Sequence, residues 1–291
     1  RYLSTFNVSL KRFRTKVIAS LIILLPAALV FLQNDTGSAL VYLAFILVLY
    51  REGLTGNFLI TGIAVIFLFV ITLIIDKLYI LGFLVLLAAI IFYFMRRSRK
   101  NVLSLIALLL LAAGFVYSVD YAFENLLEPH QKTRINVLLG KELDLRGAGY
   151  NVHQSKIAIG SGGITGKGFL QGTQTKYDFV PEQDTDFIFC TIGEEWGYLG
   201  SLTLIALFIG LLLRLVKMAE RQRSNFSRIY GYGVASILFF HFAVNIGMTI
   251  GLLPVIGIPL PFISYGGSSL WAFTILLFIF IRQDASRFEL L

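Results

Sequence analysis

Long apolar runs alternate with short charged segments along almost the whole chain. Such runs are typical of helices that cross a membrane, because a hydrocarbon core about 30 Å thick needs roughly 20 apolar residues in α-helical conformation. The pattern predicts about eight spanning helices, at residues 17–32, 38–50, 57–75, 78–95, 102–119, 186–216, 229–253 and 264–281. The expected fold class is all-α, a polytopic helical membrane protein in which residues 1–291 form a single transmembrane domain.

Two segments depart from this pattern. Residues 120–185 are polar, dense in glycine and in charges of both signs, and we interpret them as a long loop. Residues 251–269 are apolar but contain Pro254, Pro259 and Pro261, each of which removes a backbone donor and blocks a continuous helix. Irregular backbone at membrane depth must be covered by protein or line a water-filled cavity, so we interpret this segment as a re-entrant or interfacial loop. The alternative is an ordinary hydrophobic connector.

Composition supports the membrane interpretation and excludes other classes. The chain is 57% hydrophobic and 14% charged, with mean hydropathy +0.79, whereas soluble domains carry about 25% charged residues. The net charge of +8 comes from short basic clusters between apolar runs, which argues against a nucleic-acid partner. The single cysteine, Cys190, cannot form an internal disulfide and is interpreted as a small core residue.

The basic clusters predict an orientation. Lys and Arg in short loops stay in the cytoplasm, and the clusters lie at residues 11–16, 96–100 and 214–228. With alternating spans, all three fall on one face. Both ends of the chain are then cytoplasmic, and residues 120–185 and 251–269 are extracytoplasmic.

Asp186 is the leading candidate for chemistry, because it lies where the polar loop becomes an apolar helix. The helix N-terminus favours its ionised form, whereas nearby Glu182 and Asp184 and partial burial oppose ionisation. A carboxylate with a raised pKa suits a general base that acts on a sugar hydroxyl. The alternative is that Asp184, Thr185 or Asp186 only caps the helix.

Other polar residues suit either substrate binding or structure. Glu194 and Glu195 are costly in a membrane helix, and each either contacts substrate or forms an ion pair with a basic loop residue. The candidate ion-pair partners are Arg134, Lys156, Lys167 and Lys176. Basic residues of the loop also suit a diphosphate, and its glycines expose backbone N–H groups suited to an anion. The segment GSGGITGKG lacks the ending of a Walker motif, so this indication is weak.

His241, Asn245 and Thr249 recur every fourth residue and share one helix face, which is typical of hydrogen bonding between membrane helices or of ligand contact. No set of His, Cys and carboxylate residues has metal-ligand spacing. The site therefore includes no predicted metal ligands.

Three blocks of sequence together resemble the SEDS family, the shape, elongation, division and sporulation proteins of bacteria. The first comprises GAGY at 147–150, QSKIAIGSGG at 154–163, GKG at 166–168, GTQ at 172–174 and PEQDTDFIF at 181–189. The second comprises NIGM at 245–248, GLLP at 251–254, GIPLP at 257–261 and SYGGSS at 264–269; the third is QNDTGSA at 33–39. The wording GIPLP is closer to the elongation branch of the family, RodA. In family members several helices precede the point that matches Arg1.

The resemblance implies a peptidoglycan glycosyltransferase that polymerises lipid II at the outer face of the bacterial cytoplasmic (inner) membrane. Asp186 matches the family's catalytic aspartate, which would deprotonate the acceptor sugar while undecaprenyl diphosphate leaves. Basic residues and a divalent cation would stabilise the departing diphosphate. The implied partners are a class B penicillin-binding protein and membrane lipids. The residues expected to bind substrate are Arg134, Gln154, Lys156, Lys167, Gln174, Glu182, Glu194, Glu195, Asn245, Ser264 and Ser268.

Two other functions remain open at this point. A lipid II flippase needs a polar path through the whole membrane, whereas the polar residues here concentrate on one side. A scaffold that only recruits a penicillin-binding protein needs no carboxylate at position 186.

Overall fold

A computed structural model describes residues 1–5, 8–96, 98–125, 127, 129–139 and 148–288. Every regular element in these ranges is helical, which confirms the all-α prediction. The α-helices are α1 (Phe13–Leu32), α2 (Thr36–Val41), α3 (Phe45–Arg51), α4 (Gly56–Ile74), α5 (Lys77–Phe94), α6 (Arg99–Asn125), α7 (Pro129–Leu138), α8 (Ala148–Ser161), α9 (Thr173–Lys176), α10 (Ile188–Glu220), α11 (Asn225–Thr249) and α12 (Gly267–Ala285).

Within the described ranges, seven helices are long and apolar enough to cross a membrane, namely α1, α4, α5, α6, α10, α11 and α12. The chain is a multi-pass membrane protein. The predicted span at residues 38–50 differs, because the apolar stretch Thr36–Arg51 is divided into α2, a 3₁₀ turn at Tyr42–Ala44 and α3.

The chain divides into two compact units. One comprises Gly56–Glu142, where α4, α5 and α6 pack together and the Lys77 ammonium pairs with the Asp120 carboxylate at 2.7 Å. The other comprises Arg1–Thr55 and Leu143–Leu291, and it holds every candidate site residue except Arg134. A single transmembrane domain over residues 1–291 stays a prediction.

The larger unit is built around α10 and α11, whose apolar side chains form a core with α12 and α3. At the basic end of these helices, charges are paired: Arg51 with Glu220 at 2.6 Å, and Arg228 with Glu52 at 2.9 Å. Arg221 pairs with Asp284. These basic residues tie the helix ends together, as well as marking one side of the bundle.

The interpretation of residues 120–185 as one continuous loop is partly wrong, because α6 continues to Asn125 and α7, α8 and α9 lie within the segment. The sequence contained the signal for α8. Val152, Ala158 and Ile159 lie on one helical face and pack against Phe187 and Cys190 at the start of α10. In contrast, residues 251–266 are irregular, as their prolines predict.

Candidate functional site

The glycine-rich segment closes a break in α10. Gly197 has φ 63° and ψ −157°, which interrupts the helix. The carbonyls of Glu194 and Glu195 instead accept hydrogen bonds from the N–H groups of Lys167 and Gly168, both at 3.0 Å. Beyond the break, the N–H groups of Tyr198 and Leu199 donate to the carbonyls of 163 and 164, at 2.9 and 3.1 Å. Residues 163–168 therefore complete the helix's hydrogen bonding.

This closure explains the glycines. A Cβ atom on Gly162 would overlap the carbonyl oxygen of Gly193, and one on Gly166 would overlap that of Glu195. Only glycine allows two backbones to approach so closely. The N–H of Gly168, one of the loop glycines considered above for an anion, is already used by α10. The interpretation of this N–H as part of an anion site is therefore wrong.

Glu194 anchors the next stretch of loop to the same helix. Its side chain is fully buried, and its carboxylate accepts from the Lys167 ammonium at 2.6 Å. The N–H groups of Gln174 and Thr175 also donate to it, both at 2.9 Å. A buried carboxylate is stable only with such partners. Of the two roles left open for Glu194, the geometry favours the ion pair.

Asp186 lies in the turn that precedes α10. Three consecutive carbonyls of this turn accept hydrogen bonds from other segments. The carbonyl of Asp184 accepts from the N–H of Tyr265 at 2.7 Å. The carbonyl of Thr185 accepts from the Ser264 hydroxyl at 2.6 Å, and that of Asp186 accepts from the Asn245 amide at 2.8 Å. The proline-rich loop and α11 thus fix the backbone on which the carboxylate is mounted.

The Asp186 side chain does not cap α10. The N-cap residue is Phe187 and makes no side-chain capping bond, while the Thr185 hydroxyl donates to the Glu182 carboxylate at 2.7 Å. The capping alternative is therefore wrong for all three residues considered. In the described part of the chain, no group donates to the Asp186 carboxylate.

Asp186 is half-buried beside Gly257. A Cβ atom on Gly257 would lie 3.3 Å from Asp186 Oδ2, and Gly257 has φ +71°. Burial raises the pKa of Asp186, and the negative charge of Glu182 raises it further. Both causes act in the direction that the sequence indicated.

The third resembling block lies behind the proline-rich loop. Gly37 is buried, and a Cβ atom there would overlap the carbonyl oxygen of Ile256, next to Gly257. Asp35 caps α2 by accepting from the Ser38 N–H at 2.9 Å, and hydrogen bonds with the side chain and then the N–H of Ser38 lower the pKa of Asp35. Three blocks distant in sequence therefore meet around Asp186.

The remaining predicted residues lie in different surroundings. Lys156 is exposed, with its side chain against Gly251 at the start of the proline-rich loop. The side chains of Glu182 and Ser268 are also exposed, those of Gln154 and Gln174 are half-buried, and those of Glu195, Asn245 and Ser264 are buried. The side chain of Arg134 lies outside the described residues. Sequence reasoning missed the roles of Gly37, Gly257 and Tyr265. Each acts through its backbone, and backbone contacts leave little pattern in a sequence.

No three His, Cys, Asp or Glu side chains come close enough to hold a metal ion in the ranges that the structure describes. Among the described residues, Glu182 is the only acidic neighbour that affects the pKa of Asp186. These residues do not fit a resident divalent cation, and we derive no step through one.

The family model described as "Cell cycle protein", which groups FtsW, RodA and SpoVE, matches residues 80–288. A protein described as peptidoglycan glycosyltransferase MrdB, from Escherichia coli (strain K12), is 51% identical over 145 residues, which cover 50% of this chain and 39% of that protein. A protein described as peptidoglycan glycosyltransferase RodA, from Treponema pallidum (strain Nichols), is 43% identical over 146 residues, with 50% and 34% covered.

One solved structure is also similar. It is described as "Structural coordination of polymerization and crosslinking by a peptidoglycan synthase complex". The match has a TM-score of 0.66 and 26% identity, and it covers 99% of this chain and 66% of that chain. The matched regions cover well under half of the length of both curated relatives.

Proposed function

This chain belongs to the cell cycle protein family that includes FtsW, RodA and SpoVE, and we propose that it acts as a peptidoglycan glycosyltransferase that polymerises lipid II. The observation that carries the proposal is the Asp186 carboxylate, which is half-buried beside Gly257 and has a raised pKa. Hydrogen bonds to the carbonyls of residues 184, 185 and 186 hold the backbone of this turn in place. The similarity to proteins named peptidoglycan glycosyltransferase supports the same activity.

The proposed reaction is a displacement at the anomeric carbon. Asp186 takes the proton from the acceptor sugar hydroxyl, whose oxygen then bonds to the anomeric carbon of the donor. The bond between that carbon and the diphosphate oxygen breaks, and undecaprenyl diphosphate leaves with the electron pair. A base with a raised pKa holds the abstracted proton more firmly than an ordinary carboxylate, which favours this step.

The position of Asp186 suits a lipid-linked substrate. The part of α10 beyond the break at Gly197, residues 198–220, spans about 35 Å, more than the hydrocarbon core of about 30 Å. Arg214 and Lys217 lie near its C-terminal end, so Asp186 lies at the opposite membrane surface. By the positive-inside rule, this is the extracytoplasmic face of the bacterial cytoplasmic membrane.

The departing diphosphate needs a cation that is free to bind it. Lys167 is occupied by Glu194, whereas the exposed Lys156 lies beside the proline-rich loop that also contacts Asp186. We assign the diphosphate to Lys156 because a compact ammonium suits phosphate oxygens.

A class B penicillin-binding protein is the proposed partner. The similar solved structure is described as a complex that coordinates polymerization with crosslinking. A polymerase that releases glycan chains at the membrane surface needs a transpeptidase nearby to crosslink them.

The function is tested by reconstituting the full-length protein and its transpeptidase partner in vesicles with fluorescent lipid II. Gel electrophoresis then detects glycan polymer, and a membrane-impermeant quencher detects movement of lipid II between leaflets. We expect polymer that depends on the protein. Leaflet exchange without polymer would replace the glycosyltransferase with a flippase.

A further inference from the structure

Asn245 joins Asp186 to the proline-rich loop through a single amide. It lies on α11, and its side chain is fully buried. Its Nδ2 atom donates to the Asp186 carbonyl and to the Ile258 carbonyl, both at 2.8 Å. These two acceptors belong to segments more than seventy residues apart in sequence, so the amide fixes one relative to the other.

This bridge sets the surroundings of the Asp186 carboxylate. Ile258 is covalently bonded to Gly257, the residue that lies against Asp186 Oδ2. Moving the Ile258 carbonyl away from Asn245 would therefore move Gly257 away from the carboxylate. Ser264 strengthens the same arrangement, because its hydroxyl accepts from the Leu260 N–H at 2.7 Å while donating to the Thr185 carbonyl.

The chemistry of the bridge requires an amide nitrogen. One nitrogen with two hydrogens can donate to two carbonyls at once, whereas an aspartate has only acceptor oxygens. Asn245 Oδ1 is buried and has no hydrogen-bond partner in the described part of the chain. An unpaired buried acceptor carries an energetic cost, so the orientation of the amide is dictated by its two donor contacts.

We propose that Asn245 is the positioning residue of the site, holding the Asp186 carboxylate against Gly257 without touching substrate. The inference rests on the proposed glycosyltransferase function and deepens it. It also replaces the expectation that Asn245 binds substrate, because a fully buried side chain offers no surface to a lipid headgroup.

The test compares Asp186→Asn with three further variants of the full-length protein, each with its partner and at equal amounts in vesicles, by the initial rate of polymerisation against lipid II concentration. Asn245→Asp keeps the shape but removes the donors, and Asn245→Ser keeps one donor. Thr249→Val is the matched control, one turn further along α11. Its residue is fully buried, and among the described residues its hydroxyl bonds only to the Ile246 carbonyl of the same helix.

We expect kcat to fall by roughly a hundredfold in Asn245→Asp, because small displacements of a reacting group have effects of this size. KM should stay within about twofold of wild type, since the displaced group acts on the barrier rather than on uniform substrate binding. Asn245→Ser should lose less kcat than Asn245→Asp, and Thr249→Val should match wild type.

Three results separate the possible failures. Full activity in Asp186→Asn would overturn the proposed chemistry itself. An inactive Asp186→Asn together with wild-type kcat in either Asn245 variant would overturn the positioning role alone. A raised KM with unchanged kcat in Asn245→Ser would overturn it too, in favour of substrate binding. If Asn245→Asp fails to fold, Asn245→Ser decides between these results.

Discussion

Single residues around Asp186 raise the pKa of its carboxylate, as the proposed role of general base requires. Burial and the neighbouring Glu182 raise the pKa of Asp186, and within the described residues no donor occupies its oxygens. The sequence indicated this residue because it marks a boundary between polar and apolar segments. It indicated Asn245 as a hydrogen-bonding or ligand-binding residue, but not the two carbonyls that its amide bridges. It did not indicate Gly257, because the close approach of two backbone segments is not visible in a single sequence.

Replacing Glu182 by Gln tests the electrostatic part of this account. The substitution removes a negative charge that raises the pKa of Asp186, so the pKa should fall. A general base works when deprotonated, so the rate rises as pH increases through that pKa, and the rising limb should move to lower pH. The pH dependence of the initial polymerisation rate measures the shift. Asp178→Asn, which removes a different acid of the same loop, is the control. An unchanged rising limb in Glu182→Gln would show that the titrating base is not Asp186.

Gly257→Ala tests the steric part. The added methyl group would lie 3.3 Å from Asp186 Oδ2 on a backbone with φ +71°, a conformation that costs a non-glycine residue about 1–2 kcal/mol. We expect a loss of polymerisation larger than this loss of stability explains. Gly267→Ala is the control, since no atom lies within 4 Å of its added Cβ. Equal activity of the two variants would show that Gly257 does not shape the site.

At the scale of elements, the broken helix α10 organises the site. The sequence predicted an apolar helix here and a glycine-rich loop before it, but not that the loop supplies hydrogen bonds missing from the helix. That pairing depends on the non-helical backbone of Gly197. Likewise, the short helices α2 and α3 replace a predicted continuous span, because hydropathy reports burial in lipid and not where a helix is interrupted.

Gly166→Ala tests whether the glycine-rich segment serves backbone packing. Its Cβ would overlap the Glu195 carbonyl oxygen, and its φ of +80° disfavours alanine. Overpacking and backbone strain together should destabilise the protein by about 2–4 kcal/mol. Thermal unfolding in detergent measures this, with Gly160→Ala as the control, where α8 leaves open space. Equal unfolding temperatures would contradict the close packing of loop and helix.

At the scale of the whole molecule, hydropathy was sufficient for the fold class and for seven of the predicted spans. It was not sufficient for the meeting of the three resembling blocks. Residues 33–39, 181–189 and 245–269 lie far apart in the chain, and contacts such as Gly37 with Ile256 appear only in three dimensions. Long-range convergence of this kind is what turns separate motifs into one site.

The proposed orientation predicts which side of the membrane the site faces. In a background where Cys190, the single cysteine, is replaced by Ala, a cysteine at the exposed position Tyr265 should react with a membrane-impermeant maleimide added outside spheroplasts. A cysteine at exposed Asn225, at the start of α11, should react only after permeabilisation. The reverse pattern would place Asp186 on the cytoplasmic side and remove its access to externalised lipid II.

Polymer formation tests the central claim most directly. It is measured for full-length wild type, Asp186→Asn and Asp184→Asn, each reconstituted with the transpeptidase partner and lipid II. Loss of a general base should slow Asp186→Asn by roughly 10²–10⁴-fold. Asp184→Asn should stay close to wild type, because Asp184 contributes its backbone carbonyl to the site. Polymerisation by Asp186→Asn at the wild-type rate would contradict the account.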